Sequence, residues 1–286
     1  TRFVALMLRV FATAPDPARC SPGDVASDPT LIGRMMCSHG ETPPTRPVPP
    51  TLTEPERVVR IRQTAKKARS AFDQTGEMLS PMKTITLRDG LFEAVLHHML
   101  TDERVMLYGE ECREWGGAFG VYRGLSDLFP HDRVFNSPIS EAAIVATAVG
   151  AALEGGRPVV ELMYADFIGR AGDEIFNQLA KWQAISNGHL SVPVVLRASV
   201  GSKYGAQHSQ DWSALAAHIP GLKIVYPATP YDAKGLMSAA IASDDPVLMF
   251  ESQRLYDKTE LFLGEVPAAD YSNPIGPPDI KRAGTA

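Results

Sequence analysis

From residue 84 onward, short apolar runs alternate with longer segments in which apolar positions recur at helical spacing. The short runs predict strands, which are "RVMLYGEE" (104–111), "PVVELMYADF" (158–167), "VPVVLRASVG" (192–201), "LKIVYPATP" (222–230) and "DPVLMFES" (245–252). A further strand ends within "RVFNSPIS" (133–140), which leads into the next helix. Strands that are apolar along their length and alternate with helices are typical of a parallel sheet covered on both faces. The pattern therefore predicts an α/β fold with a doubly wound, mainly parallel sheet.

Helices are predicted between these strands, and several carry capping signals. The helical segments are "TLRDGLFEAVLHHML" (86–100), "SPISEAAIVATAVGAALEGG" (137–156), "AGDEIFNQLAKWQAIS" (171–186) and "YDAKGLMSAAIAS" (231–243). Thr86 and Asp89 stand at capping-box spacing. Thr229 and Pro230 form a favourable start for the last helix. Glu141 opens a helix that is otherwise small and apolar.

Residues 1–81 have a different composition and are predicted to be a linker or extension. The segment "ETPPTRPVPPTLTEP" (41–55) contains six prolines, which is typical of an extended linker. Residues 55–73 predict a basic amphipathic helix, which would pack on a neighbouring domain or bind an anionic surface. We assign residues 82–264 to the folded domain and residues 265–286 to a lead-in towards a further domain.

Composition excludes several classes of function. The chain has 286 residues, a net charge of −5 and a pI of about 5.8. This acidic balance favours neither nucleic acid nor a membrane surface as a partner. No apolar run approaches the roughly 18 residues of a membrane span. Three distant cysteines, Cys20, Cys37 and Cys112, argue for a reducing compartment and against a disulfide framework or a zinc site.

Ligands of such sheets bind beyond the carboxyl ends of the strands. Two residues near those ends could carry chemistry. His208 lies in the polar loop "GSKYGAQHSQDW" directly after a buried strand, where functional side chains concentrate and a proton carrier is useful. Glu141 either offsets the dipole of its helix or exchanges a proton with a bound base. The residues alone leave both explanations open.

Two glycine-containing segments do not match phosphate-binding patterns. "GGAFGVYRG" lacks the G-x-G-x-x-G spacing and the strand-turn-helix context of a dinucleotide site. "GDEIFN" (172–177) lacks the second glycine of the GDG…N pattern that holds Mg²⁺ and diphosphate in thiamine enzymes. We interpret it as a helix start.

From about residue 84 to residue 286, the chain resembles the beta subunit of the decarboxylating component of 2-oxo acid dehydrogenase complexes. The matching stretches keep family order and spacing, and they are "RVMLYGEE", "GVYRGL", "RVFNSPISEAAIVATAVGAALEGGRPVVELMYADF", "GAQHSQDW", "HIPGLKIVYPATPYDAKGLMSAAIASDDPVL" and "PIGPPDIKR". The resemblance implies a transketolase-like fold that binds the pyrimidine ring of thiamine diphosphate.

The resemblance also assigns roles to individual residues. Glu141, in the "ISE" motif, would hydrogen-bond the aminopyrimidine ring and relay a proton. Met163 and Phe167 match positions that pack against the pyrimidine. His208 matches the histidine that helps hold the 2-oxo acid and assists acyl transfer to the lipoyl arm. The small residues Ala142, Ala143 and Ala146 would let the helix pack close to the sheet and leave Glu141 at the cofactor's edge.

Family beta subunits often hold a potassium ion through backbone carbonyls. The matching positions are Val194, Ala240, Ile241, Ser243 and Asp245. Close relatives commonly carry Asp where Ser243 stands and Asn where Asp245 stands. Because carbonyls are the ligands, such a site tolerates side-chain changes.

The resemblance also implies partners. Without a GDG…N motif, the diphosphate and its Mg²⁺ would be held by an alpha subunit or a fused alpha domain, with residues 1–81 as the linker of a fused chain. Further implied partners are the lipoyl domain of the dihydrolipoyl acyltransferase core and a second copy, in an α₂β₂-like assembly. The isolated chain is predicted to be inactive. Its predicted location is the cytoplasm, or the mitochondrial matrix in a eukaryote.

The prediction of the substrate class rests on a few short stretches of sequence. "RVFNSP" and "YADFI" are closer to branched-chain 2-oxo acid enzymes, whereas "GAQHSQ" is closer to pyruvate and acetoin enzymes. A branched-chain 2-oxo acid is favoured. The alternatives are a pyruvate or acetoin dehydrogenase, another transketolase-like thiamine enzyme, and a non-catalytic assembly module.

Overall fold

The structure is a computed structural model that describes residues 84–201, 205–261 and 270–276. The predicted linker, the basic helix at 55–73 and most of the lead-in at 265–286 lie outside the described residues, so these predictions remain untested. No helix in the described part is long and apolar enough to cross a membrane.

The predicted parallel sheet is confirmed. In chain order, the strands are β1 (Thr84–Thr86), β2 (Val105–Gly109), β3 (Val134–Asn136), β4 (Arg157–Leu162), β5 (Val195–Val200), β6 (Lys223–Val225), β7 (Val247–Ser252) and β8 (Thr259–Leu261). Six of them form one sheet in the order β3-β2-β4-β5-β7-β6, and every neighbouring pair is parallel. The short strands β1 and β8 pair antiparallel in a separate sheet that the apolar pattern did not predict.

Helices connect the strands and cover both faces of the sheet. The α-helices are α1 (Leu87–Thr101), α2 (Leu125–Leu128), α3 (Glu141–Leu153), α4 (Ala180–Ile185), α5 (Ser213–Ala217) and α6 (Pro230–Ala242). The predicted caps are present: Thr86 and Asp89 form a capping box at α1, and the Thr229 hydroxyl accepts from the Asp232 backbone N–H at α6. These caps satisfy donors that a helix leaves unpaired in its first turn.

One face of the sheet packs on α1 and α6. Leu107, Val159, Val195 and Val247 lie side by side in register and belong to the buried core that these helices share. Helix α3 covers the opposite face, where the Tyr108 hydroxyl donates to the Ile144 carbonyl at 3.0 Å. The alternation of side chains along each strand thus places two apolar layers back to back.

Several element boundaries differ from the sequence-based prediction. Strand β4 ends at Leu162 rather than at residue 167, because residues Ala165–Ala171 turn into a 3₁₀-helix. The next helix is not uniform, since Glu174–Leu179 form a π-helix before α4 begins. Strands β3 and β6 end before Pro138 and Pro227, residues that cannot donate a ladder hydrogen bond.

The expectation that Ala142, Ala143 and Ala146 pack α3 against the sheet is wrong. Ala146 is exposed, and Ala142 and Ala143 are only partly buried. The buried face instead carries Ile144, Val145, Ala148, Val149, Ala151 and Ala152. The helix is therefore rotated so that larger branched side chains, and not the first alanines, meet the sheet.

The close contact between Gly90 of α1 and Pro230 of α6 predicts that a larger side chain at Gly90 lowers stability. A Cβ atom at Gly90 would lie 2.6 Å from the Pro230 carbonyl oxygen, so Gly90→Ala should lower the free energy of unfolding by about 1 to 3 kcal/mol through overpacking. Urea unfolding measures this change. Gly172→Ala is the matched control, because its Cβ would meet only the Phe176 ring at 3.8 Å; equal losses in both variants would contradict the packing argument.

Candidate active site

The carboxyl edge of the sheet brings together candidate site residues. Glu110 directly follows β2, Glu141 begins α3 after β3, and Met163 directly follows β4. His208 ends a short 3₁₀-helix, Ala206–His208, in the loop after β5. The sequence-predicted residues of this group therefore lie where parallel sheets place ligands.

Glu141 is the first residue of α3 and is only 7% exposed. The Ser140 side chain does not cap the helix, so the positive end of the helix dipole is left to the carboxylate. Within the described part of the chain, no hydrogen bond to the Glu141 side chain is present. A buried carboxylate without a protein donor suits a ligand that brings its own hydrogen-bonding group.

Glu110 is a residue that sequence reasoning missed. It is 5% exposed, and its Oε1 atom is buried with no hydrogen-bond partner among the described residues. Burial is the largest cause of a pKa of about 7 at Glu110, and the negative charges of Glu141, Glu161 and Glu111 contribute to the same rise. The available signal was its position, since "YGEE" ends a buried strand at the ligand-binding edge.

The His208 imidazole contacts two aromatic rings. Its imidazole stacks on Tyr164 at 4.3 Å between ring centroids, with an interplanar angle of 26°. Phe167 meets the same imidazole edge-on at 5.6 Å, and it meets Tyr164 at 6.0 Å. Phe119 contacts Tyr164 edge-on at 5.7 Å. The structure thus brings Phe167 and His208, both predicted from the sequence, into one cluster.

Met163 lies beside this cluster and is tied through its backbone. The Ser199 hydroxyl donates to the Met163 carbonyl at 2.5 Å, and Gln253 Nε2 donates to the Ser199 hydroxyl at 3.2 Å. Met163 and Phe167 are both partly buried. Each could offer an apolar surface to a flat ring at the edge of the sheet.

A buried charge network lies beneath the edge. Arg197 on β5 donates from Nη1 to Glu161 Oε2 at 2.6 Å, and its Nε donates to Glu251 Oε1 at 2.6 Å. Its guanidinium also donates to the Tyr122 hydroxyl, and the Tyr256 hydroxyl donates to Glu251 Oε2 at 2.8 Å. Burial raises the pKa of Glu161, against the lowering influence of Arg197.

The glycine-rich loop after β2 is hydrogen-bonded to this network. The backbone N–H of Ala118 donates to Glu161 Oε1 at 3.0 Å. Gly117 has φ +83°, and a Cβ there would lie 2.9 Å from Glu161 Oε1. Glycine is therefore required at Gly117 both for the left-handed backbone and for the close approach to Glu161.

The predicted potassium ligands lie at the other end of the sheet. The carbonyls of Ile241 and Ser243 both accept from Arg157 Nη1, at 3.0 and 2.9 Å. Lys223 Nζ lies 2.8 Å from Asp245 Oδ2. Two side-chain cations therefore already reach this group of residues. The potassium site stays a prediction, and no step proposed below depends on it.

Two further carbonyls of that group accept backbone hydrogen bonds. The Val194 carbonyl accepts from the Val247 N–H at 2.9 Å, and the Ala240 carbonyl accepts from the Ser243 N–H at 3.2 Å. Among the described residues, no cluster of three or more His, Cys, Asp or Glu side chains could hold a metal ion. The Mg²⁺ ligands are predicted to lie in an alpha subunit or a fused alpha domain.

The doubly wound sheet, with carboxylates and a histidine at its carboxyl edge, defines a ligand-binding α/β domain. The chain belongs to the family "Transketolase, pyrimidine binding domain", whose model matches residues 83–259. The structure also resembles a chain described as "Split gene transketolase, inactive beta4 tetramer", with a TM-score of 0.51 and 20% identity. That match covers 66% of this chain and 56% of the other.

Several relatives are more similar in sequence to this chain than that solved structure is. The chain is 44% identical over 205 residues to 2-oxoisovalerate dehydrogenase subunit beta of Bacillus subtilis, covering 71% of this chain and 62% of the relative. It is 42% identical over 216 residues, with the same coverage, to the beta subunit of acetoin:2,6-dichlorophenolindophenol oxidoreductase of the same organism. It is 39% identical over 226 residues to a mitochondrial pyruvate dehydrogenase E1 component subunit beta-2 of Oryza sativa, covering 78% and 60%. The chain thus spans about 60% of the length of these relatives.

The raised pKa of Glu110 predicts a pH effect on stability. A pKa of about 7 against the ordinary 4.5 means that the folded chain binds this proton more tightly than the unfolded chain. The contribution of the Glu110 proton to the free energy of unfolding is therefore fully present below pH 4.5 and is lost as the pH rises through 7. Glu110→Gln should reduce the difference in unfolding free energy between pH 5 and pH 7.5 by about 1 to 2 kcal/mol.

Urea unfolding at the two pH values measures this difference. Glu103→Gln removes an exposed carboxylate close in sequence and should leave the wild-type pH dependence in place. If Glu110→Gln kept that dependence as well, the assignment of the proton to Glu110 would be wrong.

Removal of Arg197 should be among the most destabilising single changes in the sheet. Arg197→Met leaves Glu161 and Glu251 buried without their cation, and the expected loss is about 3 to 5 kcal/mol of unfolding free energy. The surface control is Arg104→Met, which breaks the 2.7 Å contact with Asp102 and should cost about 1 kcal/mol or less. Denaturant unfolding compares the two, and similar losses would refute a special role for the buried network.

Proposed function

We propose that this chain is the beta part of the thiamine diphosphate-dependent decarboxylating component of a 2-oxo acid dehydrogenase complex. The observation that carries the proposal is Glu141, a buried carboxylate at a helix start with no hydrogen bond from the described chain. Relatives named as beta subunits of 2-oxoisovalerate, acetoin and pyruvate enzymes support it. The oxidised substrate would be a 2-oxo acid, and the acyl group would pass to a lipoyl group.

The residues at the edge of the sheet fit a pyrimidine ring. Glu141 can accept a hydrogen bond, and the orphaned Oε1 of Glu110 lies in the same charged surroundings. Partly buried Met163 and Phe167 offer apolar surface. When bound, thiamine diphosphate would supply an electron sink for cleavage of the bond between the carboxylate and the 2-oxo carbon.

Each of the four candidate site residues would have a specific role in the reaction. Glu141 would hold and return a proton at its carboxylate, in the manner of a general acid and base. His208 would hold the 2-oxo acid by hydrogen bonds from its ring nitrogens and would move a proton during acyl transfer. Met163 and Phe167 would pack against the pyrimidine ring and exclude water from Glu141.

The diphosphate and Mg²⁺ would be bound by an alpha subunit or a fused alpha domain, because the segment Gly172–Asn177 is helical and lacks the GDG…N pattern. The lipoyl domain of the acyltransferase core would be the second partner, in an α₂β₂-like assembly. A branched-chain 2-oxo acid is the proposed substrate, and the 44% identity to the 2-oxoisovalerate enzyme supports it. The second candidate is pyruvate or acetoin, supported by relatives of 39 to 42% identity.

The assembled enzyme, with its alpha part, thiamine diphosphate and Mg²⁺, tests the function. Oxidation of 3-methyl-2-oxobutanoate and of pyruvate is followed with an artificial electron acceptor. Faster turnover of 3-methyl-2-oxobutanoate is expected, and the reverse order would overturn the substrate assignment. Turnover of neither substrate would overturn the 2-oxo acid dehydrogenase proposal itself.

Glu141→Gln should lower turnover in that assembly by about 10²- to 10⁴-fold, because an amide cannot exchange the proton. Binding of thiamine diphosphate, measured by calorimetry, should persist. Glu154→Gln is the matched control, since Glu154 is the exposed C-cap of the same helix and should leave turnover unchanged. Normal turnover in Glu141→Gln would remove Glu141 from the proton path.

A further inference from the structure

We infer that Tyr164 is a positioning residue for His208, a role that rests on the proposed function. The two rings are stacked at 4.3 Å between centroids with an interplanar angle of 26°. Tyr164 is 9% exposed, whereas His208 is only partly buried. The phenol ring is therefore the fixed partner of the pair, and the imidazole rests on it.

Tyr164 is held at the centre of the sheet. It lies two residues beyond the end of β4, directly before the 3₁₀-helix Ala165–Ala171. The preceding carbonyl, that of Met163, accepts from the Ser199 hydroxyl on neighbouring β5 at 2.5 Å. Phe119 and Phe167 meet the Tyr164 ring edge-on, at 5.7 and 6.0 Å. Two edge-to-face contacts help to fix the position of the Tyr164 ring.

Tyr164 is also connected, through Phe119, to the buried charge network around Arg197. Phe119 stacks on Tyr256 at 5.2 Å, and the Tyr256 hydroxyl donates to Glu251 at 2.8 Å. The residue before Phe119, Ala118, donates its backbone N–H to Glu161 at 3.0 Å. The same Arg197-centred network therefore fixes Phe119 through its ring and through its neighbouring backbone.

His208, by contrast, belongs to an exposed loop. Residues 205–207 are exposed, and Gly205 has φ +88°. The backbone N–H of Gln210 reaches Asp166 only at 3.3 Å. The buried Tyr164 ring, stacked on the imidazole, therefore constrains the plane of the imidazole. Stacking on Tyr164 occupies a face of the imidazole and does not use its ring nitrogens.

A misplaced imidazole would slow the steps that His208 performs. We expect Tyr164→Leu to lower turnover of the assembled enzyme by about 10- to 100-fold, the scale of a displacement of roughly 1 Å in a catalytic group. Tyr164→Phe keeps the stacked ring and should retain turnover within about twofold. Tyr231→Leu is the matched control, because it disrupts a separate ring pair with Tyr271 at 5.6 Å and should leave turnover unchanged.

A double-mutant cycle separates positioning from a general structural role. His208→Ala and Tyr164→Leu should not be additive, so that adding Tyr164→Leu to His208→Ala lowers turnover by less than about twofold. An undiminished 10- to 100-fold loss in the His208→Ala background would overturn the inference. Loss of turnover in Tyr164→Phe would overturn it as well, because the ring would then not be the active feature.

A readout independent of activity distinguishes failure of this inference from failure of the proposed function. The carbon-bound protons of the His208 imidazole should show upfield NMR shifts from the Tyr164 ring. Those shifts should persist in Tyr164→Phe and disappear in Tyr164→Leu. If they persisted in Tyr164→Leu, Tyr164 would not position His208, whatever reaction the enzyme performs. Retained shifts in an enzyme without 2-oxo acid turnover would instead count against the proposed function alone.

Discussion

Arg197 places a positive charge in the middle of the sheet, 1% exposed, and the surrounding structure is arranged to neutralise it. Glu161 on β4 is its register partner, and Glu251 lies on β7 two residues beyond its other partner, Met249. A buried cation without partners would cost several kcal/mol. Sliding either strand by one residue would turn one of these side chains to the other face. The ion pairs therefore specify the register of the three central strands at the edge where the candidate site lies.

The same network determines how the loops above it are placed. Glu161 receives the Ala118 N–H of the glycine-rich loop, and Glu251 receives the hydroxyl of Tyr256. Phe119 lies between Tyr256 and Tyr164, so the loop is packed as part of the support for the aromatic cluster. Gly117 in this loop allows a close approach to Glu161, a carboxylate of the protein itself, and not to a phosphate.

Much of the fold could be predicted from the sequence, because apolar blocks and capping residues act locally. Thr86 with Asp89, and Thr229, cap the helices as expected. The position of Glu141 at a helix start was also readable. The charge network was not, since Glu161, Arg197 and Glu251 each stand alone in an apolar strand and acquire meaning only when the strands pair. The orientation of α3 was missed for a related reason: the alanines suggested close packing, but the phase of the helix is set by Ile144 and Val145.

The balance of charge at the edge of the sheet bears on what can bind there. Arg197 supplies one positive charge to Glu161 and Glu251, while Glu110 and Glu141 add two carboxyl groups nearby. Their mutual repulsion, together with burial, holds a proton on Glu110 up to a pH of about 7. A neutral Glu110 can donate a hydrogen bond, and a carboxyl oxygen of Glu141 can accept one. The two neighbouring carboxyl groups could therefore receive a heterocycle that both donates and accepts, as an aminopyrimidine does.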